Sequence, residues 1–297
     1  MDRRAFMQTG IATTAAASLV AAALPRTARA AAGDAQPVPA AAPAARKGRI
    51  RQSVCRWCFG GMKLDELCTL SRSLGIQAID LLDEGDWATV ARHGLVCSTA
   101  NGPGGITKGW NRREMHDELV KKSERLLPLV AAAGIPNMIV FSGNRAGMAD
   151  DEGMRNCAEG LRRIMPLAEK HGVTVIMELL NSKVDHKDYM CDRSAWGVGL
   201  CTMVGSDRFK LLYDIYHMQI MEGDVIRTIR DHHAHFGHYH TAGNPGRSNL
   251  DQTQELNYHG ICEAIVATGF KGFLAQEFMP HGDAAAALRQ AVEVCDV

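Results

Sequence analysis

The strongest constraint on this chain is a recurrence. From residue 50 onward, a short β-rich apolar run followed by a segment of helical period occurs eight times. The runs cover residues 51–57, 78–82, 95–99, 138–141, 173–178, 210–214, 236–241 and 272–277. The helices between them are expected to start near Leu64, Asp86, Arg113, Asp151, Arg193, Gly223, Leu256 and Ala284. Strands alternating with helices build a parallel sheet. Eight such units in about 250 residues match a closed (β/α)8 TIM barrel. The competing α/β architecture is an open doubly wound sheet, which favours a Gly-rich phosphate loop after its first strand. Gly60-Gly61 is too weak a match for that loop.

The first thirty residues follow another logic. Arg3 and Arg4 precede an Ala-rich apolar run over 11–24, and Ala28-Arg29-Ala30 has the form of a cleavage site. A charged start, a short apolar middle and a small-residue end make an export leader. The paired arginines resemble the twin-arginine type, so periplasmic localisation after folded export is expected. The apolar run falls short of the roughly 20 residues a membrane span requires, which disfavours a retained anchor. Residues 31–49 are Ala/Pro-rich without apolar periodicity and read as a linker, leaving 50–297 as the catalytic domain.

The whole chain has 33 basic and 33 acidic residues; without the leader's four arginines and one aspartate the balance is −3. That balance gives no sign of a nucleic-acid or anionic-membrane surface. All nine cysteines follow the leader, an odd number spread over a large domain, which is no disulfide framework. Cys55 and Cys58 form a C-x-x-C without a second pair, and core packing is the better reading for them.

The later strand runs end in polar residues. The fifth ends at Glu178, the sixth at Asp214 and the eighth at Glu277, while the seventh carries His238 and His240 on one side. In a (β/α)8 barrel the active site forms at these C-terminal strand ends. One histidine with three carboxylates makes a hard, oxygen-rich set suited to a divalent metal, Mn²⁺ or Mg²⁺ before Zn²⁺, Co²⁺ or Fe²⁺.

The segments ELLNS, LLYDIYHMQIMEGD, HYHTAGNPGR, QELNY and QEF, with SVCRWCF and FSGNR, resemble the hydroxypyruvate isomerase family of xylose-isomerase-like barrels over residues 50–297. The resemblance implies an aldose–ketose isomerase that converts hydroxypyruvate to 2-hydroxy-3-oxopropanoate through a cis-enediolate. By motif match to related ketose 3-epimerases, the metal falls on Glu178, Asp214, His240 and Glu277. Glu178 and Glu277 are also the expected acid–base pair. His217 and Arg247 are implied as substrate contacts, although the interval from His240 to Arg247 is one residue longer than the epimerase pattern. The export leader also departs from a mostly cytoplasmic family.

Three long loops, after the third, fifth and seventh runs, are expected to wall the site. Asn181 and Glu255 are expected to touch substrate, with helix capping as the alternative for Glu255; Asp185, His186 and Asp188 are secondary candidates. Trp57 and Phe59 form either an apolar wall or core. His232, His233 and His235 precede the seventh strand and read as solvated loop residues, and Met218 and Met221 as packing. The expected partner is a small hydroxy-ketone or sugar, with a homo-oligomer left open. Competing functions are a ketose 3-epimerase or inosose dehydratase on the same barrel, an endonuclease-IV-type nuclease disfavoured by the charge, and a non-catalytic sugar-binding barrel.

Overall fold

The computed structural model describes residues 46–297. The leader and residues 31–45 of the expected linker lie outside the described residues. Residues 46–49 bind the barrel: Arg46 Nε donates to the Leu74 carbonyl at 3.0 Å, Lys47 N to Asp296 at 3.0 Å, and Arg49 to Glu263 at 2.8 Å.

The chain opens with β1 (Arg51–Cys55), α1 (Leu64–Ser73), β2 (Ala78–Asp80) and α2 (Glu84–Arg92). The third unit has a broken strand, β3 (Val96–Cys97) and β4 (Thr99–Asn101), followed by α3 (His116–Ala132). Next come β5 (Asn137–Val140), α4 (Asp150–Arg162), α5 (Met165–His171), β6 (Thr174–Glu178) and α6 (Ser194–Val204). The last units are β7 (Phe209–Asp214), α7 (Ile215–Met221), α8 (Val225–His232), β8 (Phe236–Thr241), α9 (Tyr258–Ala267), β9 (Phe273–Gln276) and α10 (Ala284–Val294).

All strand pairs are parallel, in the order β3-β2-β1-β9-β8-β7-β6-β5-β4. Both ends of that order belong to the broken third strand. A parallel bridge between Leu82 and Ala100 carries the ladder across the break. The expected eight-unit barrel therefore forms, with its third strand split at Ser98.

Two units hold more helix than the sequence period suggested. Ile164 and Pro166 end α4 and start α5. In the sixth unit α7 begins directly at Ile215, not near Gly223, because the Asp214 side chain accepts the His217 backbone N–H at 2.9 Å. A carboxylate at that position satisfies an orphan donor of the first turn. His217 thus lies on a helix, where the sequence period suggested a loop.

The main apolar core lies between sheet and helices, and a second cluster of Ile139, Ile176 and Leu212 fills the barrel interior. Each such buried side chain contributes about 1.5–3 kcal/mol. The inner cluster floors the polar layer above it. A register shift between Leu211 and Leu212 leaves Gly237 unpaired and sets Asp214 opposite His240. All nine cysteines are buried and free. Among the described residues no helix is long and apolar enough to cross a membrane.

The third strand's exit is tightly packed. A Cβ on Gly102 would stand 2.0 Å from the Ile139 carbonyl oxygen, which is backbone and cannot rotate away. Gly102→Ala is expected to lose about 1–3 kcal/mol in urea unfolding. Gly61→Ala, with no atom within 4 Å of the added methyl, should leave the urea midpoint unchanged.

Candidate functional site

The C-terminal ends of β6, β7, β8 and β9 bring Glu178, Asp214, His240 and Glu277 together. All four are buried, and one ligand atom from each lies within 4.8 Å of the others. His240 Nδ1 is 3.0 Å from Glu277 Oε2, 3.3 Å from Glu178 Oε1 and 4.0 Å from Asp214 Oδ2. Glu277 follows directly on β9, and its N–H donates to the Thr241 carbonyl at 2.9 Å, extending the ladder by one residue. Asp214 divides its oxygens: Oδ1 caps α7, while Oδ2 is buried without a hydrogen bond, as is Glu178 Oε1.

A fifth residue, which the strand-end reading did not include, organises the histidine. Asp80, at the end of β2, is fully buried and accepts from four directions. Its Oδ2 takes His240 Nε2 at 2.8 Å and His238 Nε2 at 3.0 Å; its Oδ1 takes Ser98 Oγ at 2.5 Å; Cys55 Sγ lies 3.6 Å away. A carboxylate on Nε2 holds the proton there and turns Nδ1 toward the cluster. Cys55 is therefore packed against a polar network, whereas Cys58 is plain core. A signal for Asp80 was present, since it sits in an apolar run as Asp214 does. Leu81 and Leu82 extend that run and conceal where the strand ends.

The charges do not balance. Burial pushes Asp214 well above the usual carboxylate range, and Glu277 and Glu178 push the same way. Burial, with Glu277, also raises Glu178. For Glu277 the burial effect is outweighed by Arg247 and His240, which hold it well below its ordinary value. Burial alone would lower His240, but Glu277, Cys55 and Asp80 hold it well above. Asp80 is held well below, His238 and His240 outweighing its burial.

Three carboxylates thus share too little positive charge, and two of their oxygens have no donor. A divalent cation with ligands at about 2.0–2.2 Å sets them about 3–4 Å apart, and the three carboxylate oxygens lie 3.0, 3.3 and 4.0 Å from His240 Nδ1. The donor set fits such an ion, which would take the place of a proton on His240 Nδ1.

The expected substrate contacts fall in different places. His217 is buried, with Nε2 3.8 Å from Asp214 Oδ2, and burial and Arg247 hold it well below its ordinary value. Asn181 is buried against it, Nδ2 to Nδ1 at 2.6 Å. Arg247 hydrogen-bonds Glu277 Oε2, lies 3.8 Å from Asp214 Oδ2, and covers the Trp57 ring at 5.0 Å. Trp57 is no mere apolar wall, because its Nε1 donates to Glu277 Oε1 at 2.8 Å. Phe59 belongs to the core, edge-on to Phe278.

Glu255 bonds Gln219 and Asn244 at the outer edge. It does not cap α9, whose cap is Asn257 accepting from Gly260 N at 3.1 Å. Asp185 takes the Tyr216 hydroxyl at 2.9 Å and Asn181 Nδ2 at 2.7 Å, and the His186 ring lies 5.2 Å from that of His217. Asp188 turns away and accepts Ala146 N at 2.7 Å. His232, His233 and His235 lie ahead of β8, at the opposite end of that strand from His240.

A parallel barrel with a buried Glu-Asp-His-Glu cluster at its C-terminal mouth defines a class of barrels able to hold a metal there. Residues 84–296 match the family described as xylose isomerase-like TIM barrel, and the chain belongs to it. It is 36% identical to the 2-oxo-tetronate isomerase of Cupriavidus necator over 121 residues, 41% of this chain and 46% of the relative. To the hydroxypyruvate isomerase of Escherichia coli it is 28% identical over 144 residues, 48% of this chain and 55% of the relative. The chain thus spans about half the length of these relatives. The crystal structure of an AP endonuclease, family 2, from Brucella melitensis superposes with a TM-score of 0.74 at 23% identity, covering 80% of this chain and 97% of that one, and shows the shared fold.

Removing the Nε2 partner should loosen the ligand. Asp80→Asn is expected to weaken Mn²⁺ affinity about 10–100-fold by titration calorimetry. Unchanged affinity would remove Asp80 from the site.

Proposed function

We propose that this protein is an intramolecular aldose–ketose isomerase acting on small 3-hydroxy-2-oxo acids, hydroxypyruvate first. The observation that carries this reading is the placement of Glu178 and Glu277. They rise from β6 and β9, with two strands between them, and flank one cluster of buried ligand atoms. Moving a carbonyl to the neighbouring carbon requires one proton to leave and another to arrive, so two carboxylates on either side of a flat enediolate answer that need. Sugar binding alone would need neither.

A divalent ion in the cluster, by our reading Mn²⁺ or Mg²⁺, supplies charge stabilisation to the oxygens that become negative. Glu178 and Glu277 exchange protons with the two carbons. Asp214 and His240 complete the ligand set. His217 holds a substrate oxygen. Arg247 now meets the Glu277 carboxylate through Nη2 alone, with Nε on the Glu277 carbonyl at 3.4 Å, and a substrate carboxylate can replace that partner and take the guanidinium bidentately. Its guanidinium is the feature favouring a keto acid over a neutral ketose. The names of the similar proteins, hydroxypyruvate isomerase and 2-oxo-tetronate isomerase, share this substrate unit. We also propose periplasmic residence, on the strength of the twin-arginine leader.

The test is deuterium incorporation from D₂O into hydroxypyruvate and its four-carbon homologue by purified protein. Glu277→Gln and Glu178→Gln should each lose about 10²–10⁴-fold in exchange rate. Chelator-stripped protein should regain exchange on addition of Mn²⁺ or Mg²⁺. Exchange into free ketoses but not into the keto acids would replace this reading with the 3-epimerase.

A further inference from the structure

Asn181 makes all four of its amide hydrogen bonds. Its Oδ1 accepts the backbone N–H groups of Val184 and Asp185, each at 2.9 Å. Its Nδ2 donates to Asp185 Oδ2 at 2.7 Å and contacts His217 Nδ1 at 2.6 Å. The orientation of this amide is therefore determined. Flipping it would aim the NH₂ group at two backbone donors and the oxygen at a carboxylate. An amide nitrogen has hydrogens and no lone pair to offer, so His217 Nδ1 must be the acceptor. The ring can then carry a proton only on Nε2.

That Nε2 is buried, has no hydrogen-bond partner in the protein, and faces Asp214 Oδ2 from 3.8 Å. The distance exceeds a hydrogen bond and leaves the N–H directed at the mouth of the ligand cluster. We infer that Asn181 is a positioning residue that locks His217 as the neutral Nε2–H tautomer, making His217 a fixed hydrogen-bond donor to a substrate oxygen and barring it from acting as a general base. The sequence reading gave Asn181 a substrate contact; the geometry gives it this indirect role. A neutral donor suits a carbon acid whose oxygen gains negative charge, since it binds that oxygen without adding another cation beside Arg247. The catalytic consequence rests on the isomerase reading, while the tautomer itself does not.

The test uses the full chain labelled with ¹⁵N-histidine, the His217 signals being identified by their loss in His217→Asn. In wild-type protein without metal, His217 should show a pyrrole-type Nε2 and a pyridine-type Nδ1. Asn181→Asp offers Nδ1 an acceptor in place of a donor, and the two types should exchange. Asn181→Asp/Asp185→Asn gives the same reversal without placing two carboxylates side by side, and serves where the single variant does not fold. With hydroxypyruvate, either variant should lose about 100-fold or more in kcat, the scale of one transition-state donor, with KM changed far less. A protonated Nδ1 or averaged tautomers in wild type would overturn the inference. An Nε2–H spectrum in wild type together with full turnover in a variant whose tautomer is reversed would overturn its catalytic part. The expected tautomer in a protein that exchanges no deuterium with any keto acid would overturn the isomerase reading alone.

Discussion

Three carboxylates are buried around one imidazole at a single end of the barrel, and the surrounding structure answers that concentration of charge. Isolated ionised groups cannot be taken from water without partners. Each carboxylate here is answered in a different currency of contact: Glu277 by the Arg247 guanidinium and the Trp57 indole N–H, Asp214 by the first turn of α7, and Glu178 least of all. The residual imbalance falls on the four side chains that could hold a metal ion.

Asp80 shows how far this compensation reaches. It stands 160 positions from His240 in sequence, yet its carboxylate fixes which ring nitrogen faces the cluster. The same carboxylate holds His238, so β2 and β8 are joined across the barrel interior one layer below the ligands. Ligand orientation is thus part of the barrel's own packing. A side chain held by the fold costs little reorganisation when an ion or a substrate arrives.

The barrel and the meeting of four polar strand ends were legible in the sequence because both follow from local periodicity. A strand ends where its apolar run ends, and a polar residue there lies at the mouth. What could not be read was pairing across units. Asp80 was concealed by Leu81 and Leu82; the donor role of Trp57 depends on where Glu277 comes to rest; α7 depends on a cap supplied by a residue already counted as strand. Asn181 was visible as a polar residue beside the site. Its partners, two backbone amides, a carboxylate and an imidazole, come together only when the loop after β6 meets α7.

The division of labour between strands and loops bears on how such a chain can share a barrel with proteins of low identity. Glu178, Asp214, His240 and Glu277 lie at positions fixed by the ladder, so their meeting at the barrel mouth follows from the strands alone. Arg247, Trp57 and Asn181 come from three separate connections, after β8, β1 and β6. Two of them, Arg247 and Trp57, converge on Glu277, so a change in either loop alters the surroundings of that carboxylate while Glu178 keeps its own. Asn181 instead packs on His217, next to Asp214. The loops thus touch different members of one strand-held layer, Glu277 on the one hand and the neighbour of Asp214 on the other. On the isomerase reading proposed above, new specificity on this scaffold would call for new loop residues around Glu277 before new chemistry in the strands.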